Sequence, residues 1–282
     1  MLPRPPIAIP AEQRKRLNAY REGFADELEN ILRELPRPCV YVRSVRTTKV
    51  PLRRSFLAKK LGAKTAQPVL AATASKFGGQ PYAEKQEHWR DRRFLGQIDL
   101  AEAAAHIPGL SLRGILRLDL PRDFDLLQGA LVVTWFKEPS ASRAVEQCDV
   151  ESVGKWETRL EFRPGWSLPH NERDWFSLLP KEDDDDDLWD FWNDWQPEGF
   201  NEDVDDCHRM LGWPSEGLEE HYGFRAPTGC TDNVQDYEML LRLTYDNQAG
   251  FAWGTNCVYV LVPRDDLKHG DLSRVVVTAA NI

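Results

Sequence analysis

The sequence predicts an α+β fold: a mostly antiparallel sheet with flanking helices and an N-terminal amphipathic helix. Three observations predict it. Short runs rich in β-branched and aromatic residues recur at 94–98, 114–120, 130–136, 158–162, 238–245, 257–262 and 274–279, the length and composition of strands. Several are joined by loops too short for a crossover helix, which favours antiparallel neighbours. Ahead of them lies a segment with helical rather than strand periodicity.

Taken in order, Pro3, Pro5, Pro6 and Pro10 make a non-helical leader. From residue 11 to 34 the apolar residues Leu17, Tyr20, Phe24, Leu28, Ile31 and Leu35 recur three and four apart, which predicts a helix docked by one face. Pro36 and Pro38 stop it. A short strand is expected at 39–45. The basic stretch 49–64, with Arg53, Arg54, Lys59, Lys60 and Lys64, reads as a solvated connection. Few aromatics interleave it, so direct nucleic-acid binding is not predicted. A strand followed by an acid-led turn of helix occurs at 94–107 and again at 257–270, with Asp99 and Asp265 as expected helix caps. An internal duplication and a generic strand–cap–helix joint both account for the likeness.

The 282 residues are 41% hydrophobic and 29% charged, so disorder is not the default. The cysteines, Cys39, Cys148, Cys207, Cys230 and Cys257, are odd in number and far apart, without zinc spacing, and read as reduced thiols. Neither a signal peptide nor a membrane-length apolar run is apparent, so a cytoplasmic location without membrane contact is expected. Charge is uneven: residues 1–141 hold 24 Lys/Arg against 15 Asp/Glu, and residues 142–282 hold 12 against 30.

Much of that acidity lies between residues 182 and 206, with thirteen acidic residues and no Lys or Arg. The run Asp183, Asp184, Asp185, Asp186 and Asp187 leads into Trp189, Asp190, Trp192, Asp194 and Trp195. Tryptophans three apart share one side of a helix or turn. Three readings are open: a helical flap whose tryptophans plug into the sheet, a calcium site, and a protein-binding surface. The calcium reading is weakened because the turn glycine and the bidentate Glu are missing from the run. The binding reading makes the tryptophans anchors and the aspartates a steering rim for a basic partner.

No nucleophile elbow, P-loop, zinc-protease or dinucleotide motif is present. The histidines, His88, His106, His170, His208, His221 and His269, are scattered and read as surface or loop residues. No catalytic residue, metal or cofactor is predicted. A small-molecule or metal-dependent enzyme, with a site in a sheet cleft near Gln97 and Trp253, is the alternative; a general interaction scaffold is another.

Four fragments, SKFGGQPY (75–82), FLGQIDLAE (94–102), LGWP (211–214) and FAWGTNCVYVLVPRDDL (251–267), resemble the YwqG-like family, bacterial domains of unknown biochemical activity. The resemblance implies a single α+β domain over residues 67–282, with residues 1–66 as a helical lead-in, and brings no catalytic residues. It also implies a context of secreted toxins, since some such domains resemble immunity proteins. The acidic Trp-rich insertion departs from the family pattern and favours a dedicated partner. The expectation is an immunity-type protein that occludes a cognate basic toxin, a nuclease.

Overall fold

The computed structural model describes residues 37–47, 70–86, 91–107, 109–122, 131–145, 151–154, 156–167, 208–213, 226, 229–231, 233–250 and 256–281. Ten strands there form one sheet: β1 (Arg37–Arg46), β2 (Lys76–Phe77), β3 (Arg92–Asp99), β4 (Ile115–Pro121), β5 (Val132–Phe136), β6 (Thr158–Ser167), β7 (His208–Met210), β8 (Tyr237–Leu243), β9 (Asn256–Pro263) and β10 (Val276–Asn281). Their order is β10-β9-β8-β7-β1-β6-β2-β3-β4-β5, and neighbouring strands run antiparallel.

The helix-flanked α+β expectation is overturned. Strand makes up 46% of the described residues and helix 11%, and the sheet curls into a nearly closed barrel. A sheet rolled on itself covers its own inner face, so its apolar side needs no helical layer. That inner face carries Val40, Val42, Leu116, Leu118, Leu160, Leu241, Val258 and Val260, and the same cluster takes in Val133 and Trp135 of β5 and Val277 of β10. One core therefore reaches both ends of the strand order. The helical segment expected at 11–34 lies outside the described residues.

The described residues hold two α-helices, α1 (Leu100–Ala104) and α2 (Arg264–His269), which are short and follow strand ends directly. Asp99 caps α1 as the sequence predicts, its side chain accepting the Ala101 N–H at 2.9 Å. Asp265 does not cap α2. Pro263 holds that position, and Asp265 sits in the first turn, accepting a 2.7 Å bond from Lys268. There its charge still answers the free N–H groups of the helix start.

The strand order is unchanged when β1–β5 are exchanged with β6–β10, strand for strand. The registers obey the same exchange. Lys76 faces Gln97 and Arg159, and correspondingly Arg209 faces Arg242 and Tyr41. Arg117 faces Gln97 and Thr134; Tyr259 faces Arg242 and Thr278. Both third strands shift register at matching places, between Phe94 and Gly96 and between Met239 and Leu241. The chain is thus a tandem duplication in which the first strands are swapped: β1 lies between β6 and β7, and β6 between β1 and β2. The strand–helix joints that look alike in the sequence follow β3 and β9, which are not equivalents.

The short strands β2 and β7 end alike, each in two left-handed residues, Gly78 and Gly79 (φ 68° and 79°) and Leu211 and Gly212 (φ 60° and 85°). The Gly78 N–H donates to the Leu95 carbonyl and the Leu211 N–H to that of Leu240, so each turn is fastened to its own third strand. A Cβ on Gly79 would lie 2.6 Å from the Glu157 carboxylate. Gly79→Ala is expected to cost about 1–2 kcal/mol in urea unfolding, from the left-handed backbone and this contact together.

Candidate functional site

The sheet's outer face carries a row of polar side chains that are almost completely covered: Arg117, Gln97 and Lys76 in the first unit, and Arg209 and Arg242 in the second. Strand pairing brings them together, because residues directly opposite on neighbouring strands point to the same side.

Gln97, at the centre of the first unit, binds backbone on three sides. Its Oε1 accepts the Tyr82 N–H at 2.7 Å, and its Nε2 donates to the Ala72 and Ala74 carbonyls at 2.7 and 3.0 Å. It clamps both arms of the segment around β2 to β3. Arg117 extends the clamp, donating to the Tyr82 carbonyl at 3.0 Å and to Asp119 at 3.2 Å. Lys76 donates to the Ala71 carbonyl at 3.1 Å and lies 3.8 Å from Glu157, both side chains being fully buried. Burial pushes the Lys76 ammonium down from 10.5 to about 8, against the pull of Glu157. An amine of that kind suits nucleophilic chemistry, but this one is covered and bonded to backbone, so its work here is to tie down the loop.

A second polar cluster joins β1, β7 and the loop after β8. The His208 Nδ1 accepts the Thr244 N–H at 3.1 Å, which leaves Nε2–H to donate to Asp246 at 3.1 Å. Asp246 also accepts the Ala249 N–H at 2.8 Å and a bond from Ser44. Burial alone would raise the Asp246 carboxyl; the bonds from His208, Ser44 and Ala249 outweigh it and hold the group below 3.8. Serine and histidine both bond to the carboxylate rather than to each other, so this is not a nucleophile–base pair. The expectation of a surface histidine fails here: His208 is 2% exposed. Its counterpart is Ser75, whose hydroxyl accepts the Asp99 N–H at 2.8 Å. Two unlike side chains thus fill one structural role, accepting the N–H at the end of the third strand.

The residues picked out as partner-binding, Trp189, Trp192, Trp195, Asp183, Asp184, Asp185, Asp186, Asp187, Asp190 and Asp194, lie outside the described residues, as does Trp253. Gln97 is in place, as a clamp. Sequence reasoning did not single out Lys76, Glu157, Arg209 or Arg242. The available signal was a repeated pattern of cation, apolar residue, any residue, Gly, any residue, Pro, in KFGGQP (76–81) and RMLGWP (209–214). Among the described residues no group of His, Cys, Asp and Glu is arranged to hold a metal, and no helix is long and apolar enough to cross a membrane.

A family described as "Domain of unknown function (DUF1963)" matches residues 75–280, close to three quarters of the chain, from just before β2 into β10. No curated protein matches it.

Two outcomes test the polar layer. The unfolded chain holds the Lys76 proton more tightly than the folded one, so stability should rise with pH between about 8 and 10.5, by up to about 3 kcal/mol. Lys76→Met should lack that rise in urea titrations across the window. Asp246→Ala, which removes the acceptor for His208, Ser44 and the Ala249 N–H, should cost about 3 kcal/mol at neutral pH.

Proposed function

This chain belongs to the DUF1963 family, and on that footing we propose that it is a YwqG-like immunity-type member. In this reading it binds a cognate basic toxin domain, a nuclease, in the cytoplasm and neutralises it by covering its active site. The observation that carries the reading is the stretch from 182 to 206, with thirteen acidic residues, no Lys or Arg, and Trp189, Trp192 and Trp195 among them. A nuclease must offer a positive cleft to its phosphate substrate, and a carboxylate-rich surface competes for that cleft. Aromatic anchors add desolvated contact that charge alone does not provide.

The roles of the shared motifs support this division of labour. Gly78 and Gly79 turn the chain, Gln97 clamps a loop, Asp99 caps a helix, and Leu211 and Gly212 repeat the turn. Where these motifs fall among the described residues they are spent on architecture, which leaves recognition to sequence that departs from them.

The test is whether the neighbouring gene encodes a toxin that cannot be expressed without this chain, followed by binding measurements with its product. Trp192→Ala should weaken the complex by about 2 kcal/mol or more while leaving thermal stability unchanged. Neutralising Asp183 to Asp187 together should slow association and flatten its salt dependence. A Trp192→Ala protein that loses stability but keeps its affinity would restore the flap reading.

A further inference from the structure

The exchange of first strands inside the chain is a contact that a second copy can make equally well. β1 lies between β6 and β7, and among the described residues no ladder ties it to β2–β5, the strands that follow it in its own unit. Ten paired positions on β6 and three on β7 hold it, and Cys39, Val40, Tyr41, Val42 and Ser44 are buried there. All of those paired positions lie beyond residue 157, whereas β1 is joined to β2 through residues 47–75. The same ladders form whether β1 comes from the same chain or from another.

Concentration then decides between the two. A covalent tether of this length holds its strand at an effective concentration of about 1 mM, so a chain refolding in dilute solution closes on itself. As the chain concentration approaches that value, the β1 of a second copy competes for the same place.

We infer that this chain forms a reciprocally exchanged dimer, in which β1 of each copy completes the sheet of the other between β6 and β7. Reciprocal exchange closes the pair with two-fold symmetry. Once formed, the dimer is held by the whole β1–β6 ladder at both junctions, so its return to monomer requires unfolding and is slow. The inference uses none of the residues from 182 to 206 and stands apart from the toxin-binding reading. Arg43 and Glu161 make it testable, because they are exposed and directly opposite each other on β1 and β6. An Arg43→Glu chain closed on itself sets two carboxylates face to face, and a Glu161→Arg chain sets two guanidinium groups face to face; both arrangements repel. In an exchanged dimer of one chain of each kind, every β1 meets the other chain's β6, and both junctions regain opposite charges.

The experiment is refolding of the full chain from urea at about 1 µM and at about 100 µM, with light scattering after dilution of both to the lower concentration. The higher concentration should leave a dimer that outlasts dilution, and the lower should give monomer. The two charge variants refolded together at low salt should give a mixed dimer, by native mass spectrometry, at about three-fold or more above its statistical share. Mixed without unfolding, they should give none. The chain carrying both substitutions should behave as wild type, which separates the pairing of positions 43 and 161 from other contacts of Arg43. Monomer alone at both concentrations, a dimer that dissociates on dilution, or a mixed dimer at its statistical share overturns the exchange.

Discussion

The ladder between β1 and β6 is the joint on which the rest of the molecule depends. Ten positions pair from Arg37 with Ser167 to Arg46 with Thr158, and Arg43 opposite Glu161 marks the point about which the two units exchange. To one side lie β7 to β10 and to the other β2 to β5, so among the described residues no other ladder joins the two halves of the sheet. Because β1 belongs by chain order to the half that β6 completes, and the reverse, each unit lacks its own first strand until the other supplies it. The inner core inherits that dependence, as Val40 and Val42 of β1 and Leu160 of β6 sit in the cluster that also holds side chains of β4, β5, β9 and β10.

Within that frame one backbone problem recurs and is solved with different chemistry. After each exchanged strand the chain makes a very short strand, turns through two left-handed residues and returns as the third strand. The N–H at the end of that third strand needs an acceptor, and it finds the Ser75 hydroxyl in one unit and the His208 ring in the other. Two glycines make the first turn, whereas the second tolerates a left-handed Leu211, with its side chain buried. Duplication has preserved the backbone solution and released the side chains, which is how one unit comes to hold Lys76 opposite Gln97 and the other Arg209 opposite Arg242.

The longer strands were legible because alternation and β-branched composition persist over enough residues to show. Strands β2 and β7, of two and three residues, carry no such signal; only the turns that end them are visible, as KFGGQP and RMLGWP. Closure was not legible, since curvature is a property of the whole sheet and the same apolar pattern serves a flat sheet covered by helices. The likeness of 94–107 to 257–270, open to a duplication or a generic joint, pairs β3 with β9, whereas register pairs β3 with β8, so that likeness is the generic joint. Gln97 could be noticed from its motif, yet its task depends on backbone groups of Ala72, Ala74 and Tyr82 that only the fold brings near. The acidic tryptophan stretch was legible as composition, and the described residues neither add to that reading nor subtract from it.

The swapped first strands also set a schedule for synthesis. About 120 residues separate the end of β1 from the end of β6, and at roughly 5–20 residues per second a ribosome takes roughly 6–24 s to make them. Through that interval β1 is a finished strand with neither neighbour yet made, a row of unpaired N–H and C=O groups flanked by the apolar side chains of Val40, Val42 and Tyr41. The nascent chain is open to false pairing for as long as the native partner is still being translated, so this fold places a demand on the cell's holding chaperones that a chain of the same size built from neighbouring hairpins does not.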